Sequence, residues 1–167
     1  SFSSDPTVRA VAPGRIEFIG NHTDYNGGLV LGLAVDRVIE VSAAPRDDNL
    51  MIFRSEGREA VLSCDIRSII PQRNSLAWAN YPLGVFLELR AAGMGVFHGC
   101  QLAITSTVPD GAGMSSSAAL DVASAMAFCR LYRFQLDKGD LVRLCSRADN
   151  QFSGIPTGIL DQGVSIY

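Results

Sequence analysis

The chain has 167 residues, of which 47% are hydrophobic and 19% charged, with 16 glycines and 7 prolines. That length suits a single domain on a scale of roughly 100–200 residues per domain, and the composition excludes a disordered, collagen-like or coiled-coil chain. A net charge of −3 offers no basic field, so neither nucleic acid nor an anionic membrane surface is expected as a partner.

Thr7 to Ala12 reads as a short strand broken by Pro13-Gly14, with extended structure resuming from Arg15 to Gly20. Asn21 to Gly28 is dense in turn residues. Leu29 to Val35 and Arg37 to Ala43 are apolar and β-branched enough for two strands, ended by Pro45-Arg46-Asp47-Asp48-Asn49. Leu50 to Arg54 and Arg58 to Cys64, joined across Glu56-Gly57, read as a hairpin. Trp78 to Ala92 carries apolar residues at helical spacing and stops at Gly93. Cys100 to Val108 reads as a strand entering the turn Pro109 to Gly113. Two helices are expected from Ser116 to Tyr132 and from Asp137 to Phe152, with Asp137 as N-cap of the second. Strands gather early and helices late, which predicts an α+β fold. The last residues, Val164 to Tyr167, read as an apolar strand without a partner, from which we expect a second half beyond them.

The four cysteines, Cys64, Cys100, Cys129 and Cys145, fit no CxxC or zinc spacing. No apolar leader follows Ser1-Phe2-Ser3-Ser4, so the thiols are expected to be reduced and the protein cytoplasmic. The longest uncharged run, Ala91 to Pro109, is too polar to be a membrane span, which needs about 20 mainly apolar residues.

Three segments carry candidate chemistry. Val108 to Ala119 places Gly111, Ala112, Gly113, Met114, Ser115, Ser116 and Ser117 between a strand and a helix. Glycines there let backbone N–H groups turn inward, and the helix N-terminus adds unpaired donors, an arrangement that suits phosphate. It is neither a Walker A loop nor a dinucleotide fingerprint, and a tight turn with capping serines fits the same residues. In the second segment, Pro13 to Gly28, a turn crowds Arg15, His22, Asp24, Tyr25 and Asn26 together, a mixture of donors and acceptors suited to adjacent hydroxyls. A polar hairpin loop making local turn bonds fits equally. The third, Gly154 to Gln162, sets Asp161 among Gly, Pro and apolar residues, where a carboxylate is partly shielded for proton transfer or merely caps a turn. Asp149 lies twelve residues earlier.

Together, and in this order, the segments resemble the galactokinases of the GHMP superfamily of small-molecule kinases. Ala12 to Arg15 with Ile19 to Gly28 looks like the galactokinase signature, Gly111 to Ala119 the phosphate loop, and Gly158 to Gln162 the catalytic-aspartate motif. Trp78-Ala79-Asn80-Tyr81 also resembles a galactokinase segment. The resemblance implies a ribosomal-S5-domain-2-like α+β fold, a mixed sheet covered by helices, with residues 1–167 as the N-terminal domain of such a kinase. It implies phosphorylation of galactose at C1 by ATP with Mg²⁺. Asp161 would be the base or orienter of the sugar hydroxyl, with Arg15 holding it ionised and countering developing charge. Asn21, His22, Asp24, Tyr25 and Gly158 would line the sugar pocket. Gly111 to Ser117 and Trp78 would hold ATP, and Ser117 and Asp149 the metal ion.

Asn21 stands where the family usually has Glu, Asp149 where it usually has Glu, and Glu17 and Gly32 where Asn and Pro are frequent. Asn21 keeps open a kinase for another sugar, such as N-acetylgalactosamine or a pentose, and some relatives are non-catalytic sugar sensors. Family members are about twice as long, so the resemblance implies a C-terminal domain as partner and little activity for these 167 residues alone.

Overall fold

The computed structural model describes residues 7–20, 23, 26, 28–96, 98–109, 111–153 and 158–167. Among them run β1 (Val8–Ile19), β2 (Leu31–Pro45), β3 (Leu50–Ser55), β4 (Leu62–Asp65), α1 (Asn80–Ala91), β5 (Cys100–Ser106), α2 (Ser116–Leu131), α3 (Lys138–Ala148) and α4 (Leu160–Ile166). The strands form one mixed sheet in the order β1-β2-β5-β3-β4. β3 and β5 are parallel, and the other neighbouring pairs are antiparallel. This is the mixed sheet with helices that the sequence leads one to expect.

Alternation along the strands turns one face of the sheet inward: Ala10 and Ala12, then Ile39, Val41 and Ala43, then Met51 and Phe53, then Leu102 and Ile104 are buried. Against that face lies α2, packed on β1 and β2, with α1 and α3 against α2. Most of α2 is buried, as expected of a helix apolar nearly all round. Its many alanines admit neighbours closely, and Phe128 meets Phe86 edge-on at 5.3 Å and Phe53 at 6.4 Å. Helix α3 begins as expected, with the Asp137 side chain accepting from the Asp140 N–H.

Five sequence expectations are corrected. The break at Pro13-Gly14 does not occur: β1 is continuous, and its register against β2 slips between Pro13 and Arg15 instead. β1 is an edge strand, where proline's missing donor is tolerated. The two strands proposed between Leu29 and Ala43 are one, β2. The hairpin is real, but its second strand starts only at Leu62. Val164 to Tyr167 is not a strand: it ends helix α4, which buries Leu160 and Ser165 against α2, β1 and β2. The β-branched residues there favour extended structure by propensity, and tertiary packing overrides it. Helix α3 also stops at Ala148, and Asp149–Ser153 forms a π turn.

Candidate active site

The N-terminal end of α2, the middle of β1 and the start of α4 meet at one place. Gly14 makes that approach possible, because a Cβ there would lie 2.9 Å from the Met114 carbonyl oxygen and 3.3 Å from Val108. With no side chain in the way, the Arg15 N–H donates to the Met114 carbonyl at 3.0 Å, and Nη1 of Arg15 donates to the Gly113 carbonyl at 3.0 Å. Helix α4 is brought in similarly. A Cβ on Gly32 would lie 2.6 Å from Val164 and 3.3 Å from Leu160, so the glycine lets α4 lie directly on β2. The Ser165 hydroxyl then donates to the Pro13 carbonyl at 2.9 Å.

Asp161, in the first turn of α4, faces Arg15 as a result. The guanidinium donates through Nε to Oδ1 at 2.7 Å and through Nη2 to Oδ2 at 2.5 Å, a bidentate pair that fixes the plane of the carboxylate. The Ser115 hydroxyl donates to Oδ2 at 2.5 Å. Three donors from β1 and the α2 loop therefore orient one carboxylate that still keeps some contact with solvent.

The loop before α2 has the conformation its glycines imply: Gly111 and Gly113 both have φ of 70°, with open space where a Cβ would be. Ser115, the N-cap, is itself left-handed at φ 47° and makes no side-chain cap bond. Its hydroxyl goes to Asp161 instead, so the N–H groups of the first turn have no side-chain cap. Beside that turn is a recess lined by Ile39, Ile104, Trp78, Tyr81, Ser116 and Ser117. The Trp78 indole N–H is buried there without a partner.

Asp149 ends α3 at the π turn and is buried. The Gln162 amide donates to its Oδ2 at a long 3.4 Å. Burial, together with the charges of Asp149 and Asp121, raises the Tyr81 phenol above its usual value, so both carboxylates lie near the recess that Tyr81 shares with Ser117. Gly158 accepts the Ser146 hydroxyl at 2.9 Å, tying the aspartate segment to α3.

The structure thus brings Arg15, Gly113, Met114, Ser115 and Asp161 into direct contact, and sets Ser116, Ser117 and Trp78 around one recess. Asn21, His22, Asp24 and Tyr25 lie outside the described residues. What is described around them is a turn: Thr23 accepts from the N–H groups of Asn26 and Gly28, and its hydroxyl donates to the Gly20 carbonyl. Two features escaped the sequence reading. One is the bond from Ser115 to Asp161, across 46 positions. The other is Asp121, a carboxylate inside the apolar stretch of α2 that is fully buried with neither oxygen hydrogen-bonded. A lone acid within Ala118 to Phe128 is the signal that marks it.

Residues 80–167 match the GHMP kinases N terminal domain, and residues 1–45 match the galactokinase galactose-binding signature. A galactokinase of Roseiflexus sp. (strain RS-1) is 41% identical over 162 residues, covering 97% of this chain and 41% of that protein. One from Streptomyces coelicolor is 39% identical over 165 residues, covering 98% and 42%. The chain thus spans about two fifths of the length of these curated relatives. The crystal structure of Lactococcus lactis galactokinase complexed with galactose has a TM-score of 0.86 at 30% identity, covering 96% of this chain and 42% of its own.

Proposed function

This chain belongs to the GHMP kinase family, and from that premise we propose that it carries the nucleotide-binding and phosphoryl-transfer residues of a sugar 1-kinase that converts galactose to galactose 1-phosphate. Residues 1–167 form the N-terminal domain of that enzyme, and the sugar pocket is completed by a C-terminal domain. The observation that carries the reading is the Asp161 carboxylate held by Arg15 and Ser115 at the mouth of a glycine-rich loop.

Phosphoryl transfer asks a protein mainly for positioning and charge stabilisation. Asp161 accepts the hydrogen of the sugar's C1 hydroxyl, orienting its oxygen for in-line attack and taking up the proton as the new bond forms. Arg15 keeps that carboxylate in a single orientation and balances its charge. Backbone N–H groups from Gly111 to Ser117 at the head of α2 bind phosphate oxygens. Trp78 and Tyr81 supply aromatic surface for the nucleotide base in the adjoining recess. Asn21, His22, Asp24, Tyr25 and Gly158 bind the sugar.

A divalent cation suits the residues present. A hydroxyl and a buried carboxylate, Ser117 and Asp149, are hard oxygen ligands, and the unpartnered oxygens of Asp121 near Asp149 are an excess of acceptors that a cation would balance. When bound, Mg²⁺ and ATP supply charge neutralisation and the phosphoryl group. Four free cysteines support a cytoplasmic site of action, and no described helix is long and apolar enough to cross a membrane.

ADP release by the full-length protein, C-terminal domain included, with Mg-ATP and a panel of galactose, N-acetylgalactosamine, glucose and arabinose tests this. Galactose is the expected substrate, and Asp161→Asn is expected to lower turnover by about two to four orders of magnitude. Turnover on another sugar alone moves the specificity to Asn21, where relatives usually have Glu. Binding of galactose without turnover makes the protein a sensor.

A further inference from the structure

We propose that Asp121 is a second carboxylate of the divalent-cation site, its charge balanced by the same ion that Ser117 and Asp149 hold. This inference rests on the reading of Ser117 and Asp149 given above and extends it to residues that reading does not include.

Three observations support it. Asp121 is 0% exposed, and both of its oxygens are buried without a hydrogen-bond partner. A carboxylate so placed is unfavourable unless an ion, a proton or a set of donors compensates it, and among the described residues no donor does so. Its position is the second observation: Asp121 lies four residues after Ser117 on α2, one helical turn away on the same face. Asp149 is near enough that its charge adds to burial in pushing the Asp121 carboxyl well above the usual carboxylate range.

The third comes from a different element. Gln162, in α4, is also 0% exposed; its amide nitrogen contacts Asp149, and its amide oxygen is buried without a partner. The Asp121 oxygens on α2 and the Gln162 amide oxygen on α4 are thus acceptors buried without hydrogen-bond partners. Oxygen acceptors in excess of donors are the chemistry of a hard cation such as Mg²⁺, which takes one or two protein carboxylates and fills its remaining positions with water and phosphate. The location fits, since Asp161 is the residue immediately before Gln162 and Ser117 lies in the first turn of the helix that carries Asp121.

The experiment is a titration of Mn²⁺ into the protein with a non-hydrolysable ATP analogue present, free metal being counted by its paramagnetic resonance signal. Asp121→Asn keeps the shape and removes the charge. It is expected to weaken Mn²⁺ binding by about tenfold or more and to leave metal-free binding of the analogue unchanged. Asp121→Glu is expected to restore most of the metal affinity. If Asp121→Asn does not fold, Asp121→Ser is read in the same way. Loss of Mn²⁺ in Asp149→Asn but wild-type affinity in Asp121→Asn overturns the inference and leaves the Ser117–Asp149 site standing. A wild-type protein that binds no Mn²⁺ overturns both.

Discussion

Two regions of this molecule are equally apolar and oppositely solvated. Around α2 the side chains of Phe53, Phe86, Phe128, Leu83 and Leu102 are buried completely or nearly so. Where β1 ends, β2 begins and α4 crosses them, Phe18, Ile19, Leu31, Leu33 and Ile159 face outward, with Leu29 94% and Tyr167 79% exposed. Of these, Leu31, Leu33, Ile159 and Tyr167, with Val30, Gly32, Ala34 and Val164, line an open apolar hollow. Contiguous apolar surface of this kind marks a contact face. The first region stabilises the fold; the second contributes little to it in the described chain. The Arg15–Asp161 pair lies on the seam between them, with one partner on β1 and the other on α4.

The comparison can be broken from the packed side first. Phe128→Ala removes a ring that touches two others and is expected to destabilise the protein by about 3–5 kcal/mol in a denaturant titration. A loss under ~1 kcal/mol would show that the α2 core is not what holds the sheet. At the seam the expected effect is smaller in stability and larger in function. Gly32→Ala forces α4 off β2, so about 1–3 kcal/mol of overpacking is expected, together with a fall in turnover as Asp161 moves away from Arg15. Unchanged turnover would mean that α4 docks without the close approach at Gly32. The smallest effect is expected at the rim: Leu29→Ser should change stability by no more than about 0.5 kcal/mol. A clearly larger loss in the same titration would show that another part of the protein covers this face, and would locate the cover.

How much of this was legible in the sequence follows the same division. The glycine-rich turn before α2, Arg15 and Asp161 were readable because each sits in a short motif whose chemistry depends on residue type and local spacing. The N-cap at Asp137 and the stop at Gly93, which has φ of 100°, were readable for the same reason. What failed depended on partners distant in the chain. Nothing near Val164 indicates that it will pack against Gly32, so its β-branched neighbours gave a strand where contacts with β1, β2 and α2 make a helix. Pro13-Gly14 read as a break because proline usually ends a ladder; on an edge strand it does not, and the glycine serves the approach to Met114 instead. The resemblance assigned Ser115 to ATP binding, and the bond of its hydroxyl to Asp161 became visible only with α4 in place.

The bond from the Arg15 amide to the Met114 carbonyl has a use beyond geometry. It joins a strand to the glycine-rich loop through a single hydrogen, so that hydrogen can exchange with deuterated solvent only when the loop lifts away from β1. Its exchange rate is a clock on loop opening that runs inside the protein without any added label. Slowing of that clock by nucleotide would measure, in free energy, how firmly the bound phosphates close the loop onto the strand.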